Sequence, residues 1–179
     1  MPSMRADARR NYERLIAVAA EVVAEQGADA SMEEIARRAG VGSATLHRHF
    51  GSRQALLEEV FLGSVDLVCA EAERLLEHPD RGRALTQWLR GMVGHATTNR
   101  GLGAALILSA EAGSKVHLRI RTAGDRLLSR ARAQGAVRET VRIDDLLKLV
   151  NAISLVSGPE AAEADRLLGL VLTGVLLED

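Results

Sequence analysis

Residues Met32–Phe50 read MEEIARRAGVGSATLHRHF, and their spacing decides the fold. Ser31 stands just before them with Glu34 three residues on, the pattern of a capping box that opens a helix. The spacing predicts that helix over Met32–Ala39, with Gly40 ending it. Gly42 or Ser43 then opens another short helix, to about His49. Ile35 and Ala36 face inward and Leu46 packs back towards them. Small Ala36 and Gly40 let the two helices cross closely, with Val41 as the plug between them. This is the spacing of a helix-turn-helix, whose second helix can enter a DNA major groove.

The exposed face of that second helix carries Ser43, Ala44, Thr45, His47, Arg48 and His49. Ser and Thr can bond phosphate or base edges, Ala can meet a thymine methyl, and Arg can bind guanine O6 and N7. Between Ala36 and Ala55 stand Arg37, Arg38, Arg48 and Arg53, and no acid. Two short capped helices can simply pack, with arginines that solvate. The acid-free cluster beside a polar face tips the reading towards DNA.

Outward from this stretch the chain stays helical. Tyr12, Leu15, Ile16, Ala19, Val22 and Val23 recur in steps of three and four, which predicts a helix over Asp7–Gln26, stopped at Gly27. Ser52 caps a fourth helix to about Glu77, and Pro79 marks the next break. Further helices are predicted over Asp80–Asn99, Gly101–Ala112, Lys115–Gln134, Ile143–Ser157 and Glu160–Leu177. Only four of 179 residues are aromatic (Tyr12, Phe50, Phe61, Trp88), which disfavours strands and points to an all-α chain.

Composition limits what the protein is. The chain is 47% hydrophobic and 26% charged, so wholesale disorder is excluded. The single Cys69 excludes an internal disulfide and a Cys-rich zinc site. The first residues carry Arg5, Arg9, Arg10 and Arg14 without an apolar run, so no secretory signal is expected and a cytoplasmic location is. Those arginines form either an arm towards DNA or an exposed tail. No apolar stretch approaches the roughly 20 residues of a membrane span. The net charge of −1 looks unfavourable for nucleic acid, and the halves differ little. Residues 1–55 hold 8 Lys+Arg and 7 Asp+Glu, and residues 56–179 hold 15 and 17. The useful contrast is the local arginine cluster.

The pattern from Gly27 through Ser31, Glu34-Ile35-Ala36, Ala39-Gly40-Val41-Gly42, Thr45-Leu46, His49-Phe50 and Ser52-Arg53 to Leu56-Leu57 resembles the DNA-binding signature of the tetracycline-repressor (TetR) family. The resemblance implies an all-α fold with an N-terminal three-helix helix-turn-helix unit. A long fourth helix links it to a C-terminal helical domain for ligand binding and dimerisation, with the domains at 1–51 and 52–179. It implies a homodimer on a palindromic operator, with a small effector releasing the DNA. Carried over by position, Ser31 would meet phosphate through its backbone amide, and Thr45 would contact phosphate. Ser43, Ala44 and Arg48 lie at the base-reading end. His47 stands where the family usually has a Tyr that touches phosphate, and Gly42 where Ser is common. Arg53 stands where Lys is usual at the start of the fourth helix, where its amides and charge would meet a phosphate.

In the body, two final helices are apolar on more than one side, and the extra face needs a core or a partner. The resemblance implies a four-helix bundle with the same pair of a second subunit. The expected interface residues are Leu146, Leu147, Val150, Ile153, Leu167, Leu168, Val171, Leu172 and Val175. A purely internal core is the alternative. Trp88, Met92, His95, Asn99 and His117 are effector-lining candidates by residue type. With Trp88 the one aromatic after Phe61, an aliphatic or mixed ligand is expected rather than a planar aromatic one.

No enzyme motif survives inspection. Gly101-Leu102-Gly103 lacks the third glycine of a dinucleotide loop, and no Gly-x-Ser-x-Gly elbow is present. His47 and His49 are two apart and point in different directions on a helix, so a shared metal is not expected. Cys69, between Val68 and Ala70, reads as a small hydrophobe, with a redox-sensing thiol as the alternative. No catalytic residue, metal or cofactor is implied. Two other readings stay open: a helical enzyme or small-molecule carrier with a vestigial helix-turn-helix, and a DNA-binding activator or architectural protein without effector.

Overall fold

A computed structural model describes residues 4–99, 110–158 and 160–176. Its described residues form eight α-helices: α1 Met4–Gln26, α2 Met32–Arg38, α3 Ser43–Phe50, α4 Arg53–Leu75, α5 Arg81–Thr98, α6 Ala110–Ala133, α7 Ile143–Val156 and α8 Ala161–Val175. A 3₁₀ turn, Gly27–Asp29, follows α1. The chain divides into two compact units, and the division falls inside α4 at Gly63/Ser64.

The first unit is built on a core of Leu15, Ala19, Val22, Val23, Ile35, Ala36, Leu46, Phe50, Leu56 and Val60. The α1 members recur at three- and four-residue steps, so one stripe of that helix is buried while Glu13, Glu21 and Glu25 stay outside. The second unit has its own core. Trp88 and Leu89 of α5 pack with Leu127 and Leu128 of α6, Leu146 and Val150 of α7, and Leu168 and Leu172 of α8. There α5 is the central helix, lying against α6, α7 and α8. Asp80 caps it by accepting from the Arg83 amide at 2.8 Å. Beyond the helices, Val137 and Leu176 form one antiparallel bridge.

The helix ends differ from expectation in two places. α1 begins at Met4, three residues earlier than its apolar stripe suggests. α6 begins at Ala110 and runs through Gly113, where a stop was expected. A glycine inside a helix costs only about 1 kcal/mol and does not by itself break one. Most of the helix expected over Gly101–Ala112 lies outside the described residues, and its last three belong to α6. Among the described residues no helix is long and apolar enough to cross a membrane.

Candidate nucleic-acid interface

The reading geometry rests on how α2 ends. Ala39 closes the helix, and Gly40 takes φ +66°, a left-handed conformation that side chains disfavour. The Gly40 amide donates to Arg37 O at 3.2 Å and the Val41 amide to Ala36 O at 3.0 Å. This paired closure is a Schellman motif. It reverses the chain in two residues and sets Gly42 as the N-cap of α3. Leu46 and Phe50 anchor α3 in the first unit's core. Tyr12 stacks on Phe50 at 5.4 Å between ring centroids, tying α3 to α1.

The start of α2 is half of the expected capping box. Ser31 Oγ accepts from the Glu34 amide at 3.3 Å, as a cap should. The reciprocal bond, from the Ser31 amide to Glu34, is not made. The Glu34 carboxylate instead accepts from Arg37 at 2.8 and 2.7 Å and from Arg38 at 2.7 Å. Two guanidiniums bind a carboxylate more strongly than one neutral amide does. The Ser31 amide turns to Gln26 Oε1 at 3.4 Å, and Ser31 Oγ donates to Glu33 at 2.9 Å.

This network changes the electrostatics expected from the arginine cluster. Arg38 also grips both oxygens of Glu25, at 2.8 and 2.7 Å, and so pins α2 to α1. The paired arginines hold the Glu34 carboxyl at a pKa of about 2. Arg53 donates from Nε to Ala30 O at 3.0 Å and lies 3.8 Å from Asp29. Three of the four arginines therefore have intramolecular partners. Arg48 has no ion-pair partner among the described residues.

Ser43, Ala44, His47, Arg48 and His49 are exposed on α3, while Thr45 and Ser31 are half-buried. No side chain caps the first amides of α3, because Gly42 has none to offer. The His49 ring lies 6.4 Å from Tyr12 and 6.1 Å from Phe50. Sequence reasoning missed Glu25 and Glu34 as partners of the arginine cluster. The i, i+3 and i, i+4 spacing of Glu34 to Arg37 and Arg38 was the available signal.

In the second unit the expected effector residues stand in different surroundings. Trp88 and Met92 are core side chains, and the Trp88 indole donates to Val68 O at 3.2 Å. Asn99 is buried and donates to His95 O at 2.9 Å. Burial pushes the His95 pKa down. His117 is exposed on α6. Two surface grooves lie elsewhere. One, of about 350 Å³, runs between α4 and α6 past Cys69, Leu118, Thr122 and Ala123. It is spanned by the ion pairs Arg119–Asp66 and Arg126–Glu73. The other, of about 270 Å³, lies between α5 and α8 beside Val93, Thr97, Ala164 and Leu168. None of the five candidates lines either groove. Burial pushes the Cys69 thiol pKa up, which disfavours the reactive thiolate.

Of the nine residues expected at a subunit interface, Leu146, Val150, Ile153, Leu168, Leu172 and Val175 are buried within the chain's own core. Leu147, Leu167 and Val171 are partly buried against it. The large apolar side chains left exposed on α7 and α8 are Leu149, Leu155, Val156 and Leu170. Both helices are apolar on two sides. Reading from apolar period alone does not say which side the core takes.

A helix-turn-helix with an exposed polar second helix, joined to a separately packed helical body, defines a helical DNA-binding regulator. The comparisons agree. Residues 15–60 match the family described as bacterial regulatory proteins, tetR family. Residues 80–177 match the C-terminal domain described as transcriptional regulator SbtR-like. The TetR transcriptional regulator SCO0520 from Streptomyces coelicolor is 34% identical, with a TM-score of 0.79 over 93% of this chain and 99% of that one. The TetR transcription regulatory protein from Mycobacterium vanbaalenii is 31% identical, with a TM-score of 0.78 over 98% of this chain and 100% of that one. The HTH-type transcriptional regulator SAR0097 of Staphylococcus aureus (strain MRSA252) is 37% identical over 87 residues, which are 47% of this chain and 42% of that protein. The chain belongs to the TetR family of bacterial transcriptional regulators. Members of this family are transcriptional regulators and not enzymes.

Proposed function

We propose that this regulator is a cytoplasmic repressor that binds a palindromic operator as a homodimer and is released by a small-molecule effector. The observation that carries the DNA half of the reading is Arg48, an exposed cation of α3 without an ion-pair partner among the described residues. A guanidinium so placed suits bidentate recognition of guanine. Ser43 and Ala44, one turn earlier, read the neighbouring bases. Thr45, His47 and His49 contact the phosphate walls, as does the Ser31 amide, whose 3.4 Å bond to Gln26 is long enough to exchange. Arg53 steadies the turn before α2 and reaches phosphate only with its remaining donors.

In this reading residues 1–51 bind DNA and residues 52–179 dimerise and bind the effector. Exposed Leu149, Leu155, Val156 and Leu170 form the centre of the dimer surface, with half-buried Leu147, Leu167 and Val171 beside them. Leu146, Val150, Ile153, Leu168, Leu172 and Val175 support that surface from behind. The effector binds within residues 52–179, and with Trp88 the one aromatic of that body after Phe61 an aliphatic or mixed ligand suits it better than a planar aromatic one.

Selection of bound duplexes from random DNA tests the proposal. It predicts an inverted repeat with half-sites about one DNA turn apart, since a two-fold dimer sets its recognition helices at that spacing. A reporter driven through the selected site should fall when the regulator is expressed. Failure to enrich any sequence contradicts the DNA reading, and a rise in the reporter contradicts the repressor reading.

A further inference from the structure

The charge balance of α3 has a consequence for how tightly the operator is held. With Arg37 and Arg38 of α2 engaged by Glu34 and Glu25, Arg48 is the one arginine of the recognition helix, and it has no ion-pair partner among the described residues. It is flanked in sequence by two exposed imidazoles. Helical geometry turns about 100° per residue, so His47 and His49 lie to either side of Arg48. Leu46 and Phe50 mark the buried side, which leaves Arg48 pointing outward and the two histidines on the flanks. A helix lying in a major groove turns its outward face to the bases and its flanks to the two phosphate walls.

Resting on the operator-binding reading above, we propose that His47 and His49 are proton-linked phosphate ligands, so that operator binding takes up protons and tightens as pH falls from 8 towards 5.5. Imidazole is the side chain whose ordinary charge change falls in that interval. A phosphate brought against it favours the charged form. The groups facing the two rings are consistent with this. On the α2 side, His47 faces the carboxylate of Glu33, whose pKa is lowered by its own backbone amide, then by Ser31, with His47 contributing. Glu33 therefore stays ionised through the interval and does not itself titrate. On the α1 side, His49 faces Tyr12. The Tyr12 pKa is raised, first by burial and then by Glu59 of α4, so it stays neutral. Arg48 and the ring of Phe50, both on α3, complete the surroundings.

The experiment is operator affinity of the full chain on its selected duplex, at fixed salt, from pH 8 to pH 5.5. Wild type, His47→Gln, His49→Gln and the double variant are compared, with circular dichroism confirming the fold at each pH. Glutamine keeps a hydrogen-bond donor without the charge. Affinity should rise about tenfold or more per dimer in wild type as the new cations displace condensed counterions. Each single variant should lose part of that rise and the double variant nearly all of it. The steepness of the salt dependence in wild type should also be greater at pH 5.5 than at pH 8. A pH-independent wild type overturns the proposal, as does a folded double variant that keeps the wild-type pH response. If no duplex is bound at any pH, the operator-binding reading itself fails, which is a distinct result.

Discussion

Gly124 of α6 lies against the indole of Trp88 of α5 so closely that a Cβ at position 124 would stand 2.6 Å from Trp88 Cζ3 and Cη2. Ile143 Cδ1 would be equally near, but that is the end of a flexible side chain. The rigid ring is what has to move. Overpacking of this kind costs about 1–3 kcal/mol, against about 1 kcal/mol gained by replacing a helical glycine. Gly124→Ala should therefore lower stability by about 1 kcal/mol net. Denaturant melts followed by the emission of Trp88, the single tryptophan, check this. An unchanged midpoint and unchanged emission would contradict the contact.

Acid should loosen the first unit through Glu34. Its carboxyl titrates at about 2 in the folded chain, below the ordinary range of a free glutamate. Arg37 is the largest cause and Arg38 the next. A depressed folded pKa contributes stability that is complete above the unfolded value, near 4.3, and is lost as pH falls through the folded value. Glu34→Gln should remove this acid dependence while keeping the backbone cap to Ser31. Acid titration followed by Tyr12, the single tyrosine, reads the first unit, because Trp88 belongs to the second.

Arg53 is the position where position-matching and geometry part. Its Nε bond to Ala30 O ties the start of α4 to the turn before α2. Arg53→Ala should lower unfolding stability by about 1 kcal/mol, the scale of one partly exposed charge-assisted hydrogen bond. A residue serving phosphate alone would leave stability of the free protein unchanged. Thermal melts without DNA separate the two.

Subunit association should depend on the outer face of α7 and α8. Leu170→Glu or Val156→Glu places a charge on side chains that are 64% and 69% exposed in the single chain. Each should halve the solution mass while preserving helicity. Leu168→Glu, at 2% exposure, should unfold the second unit instead. Sedimentation and circular dichroism distinguish these outcomes. A Leu170→Glu protein of wild-type mass would contradict the proposed interface.

Much of this was legible in the residues, because local chemistry carried it. The Gly40 turn, the Ser31 cap and the Leu46 anchor are short-range features whose spacing maps onto geometry. The ionic partners of Arg38 were half legible. Glu34 is four residues away, but Glu25 is thirteen residues away on another helix and becomes a partner only when α1 packs on α2. Apolar period marked α7 and α8 as two-sided, yet which side meets the core is set by α5 and α6, so Leu146 and Leu149 were indistinguishable beforehand. The same applies to Trp88. Residue type suggested a ligand contact, whereas Gly124 and Ile143 across the core make it a packing residue.

The central claim is that α3 reads bases through Arg48. Base preference measured across the selected operator, for wild type and Arg48→Ala, tests it most directly. The account predicts that Arg48→Ala binds about 1–3 kcal/mol more weakly and loses preference at one symmetric position in each half-site. An unchanged preference profile with unchanged affinity would contradict it.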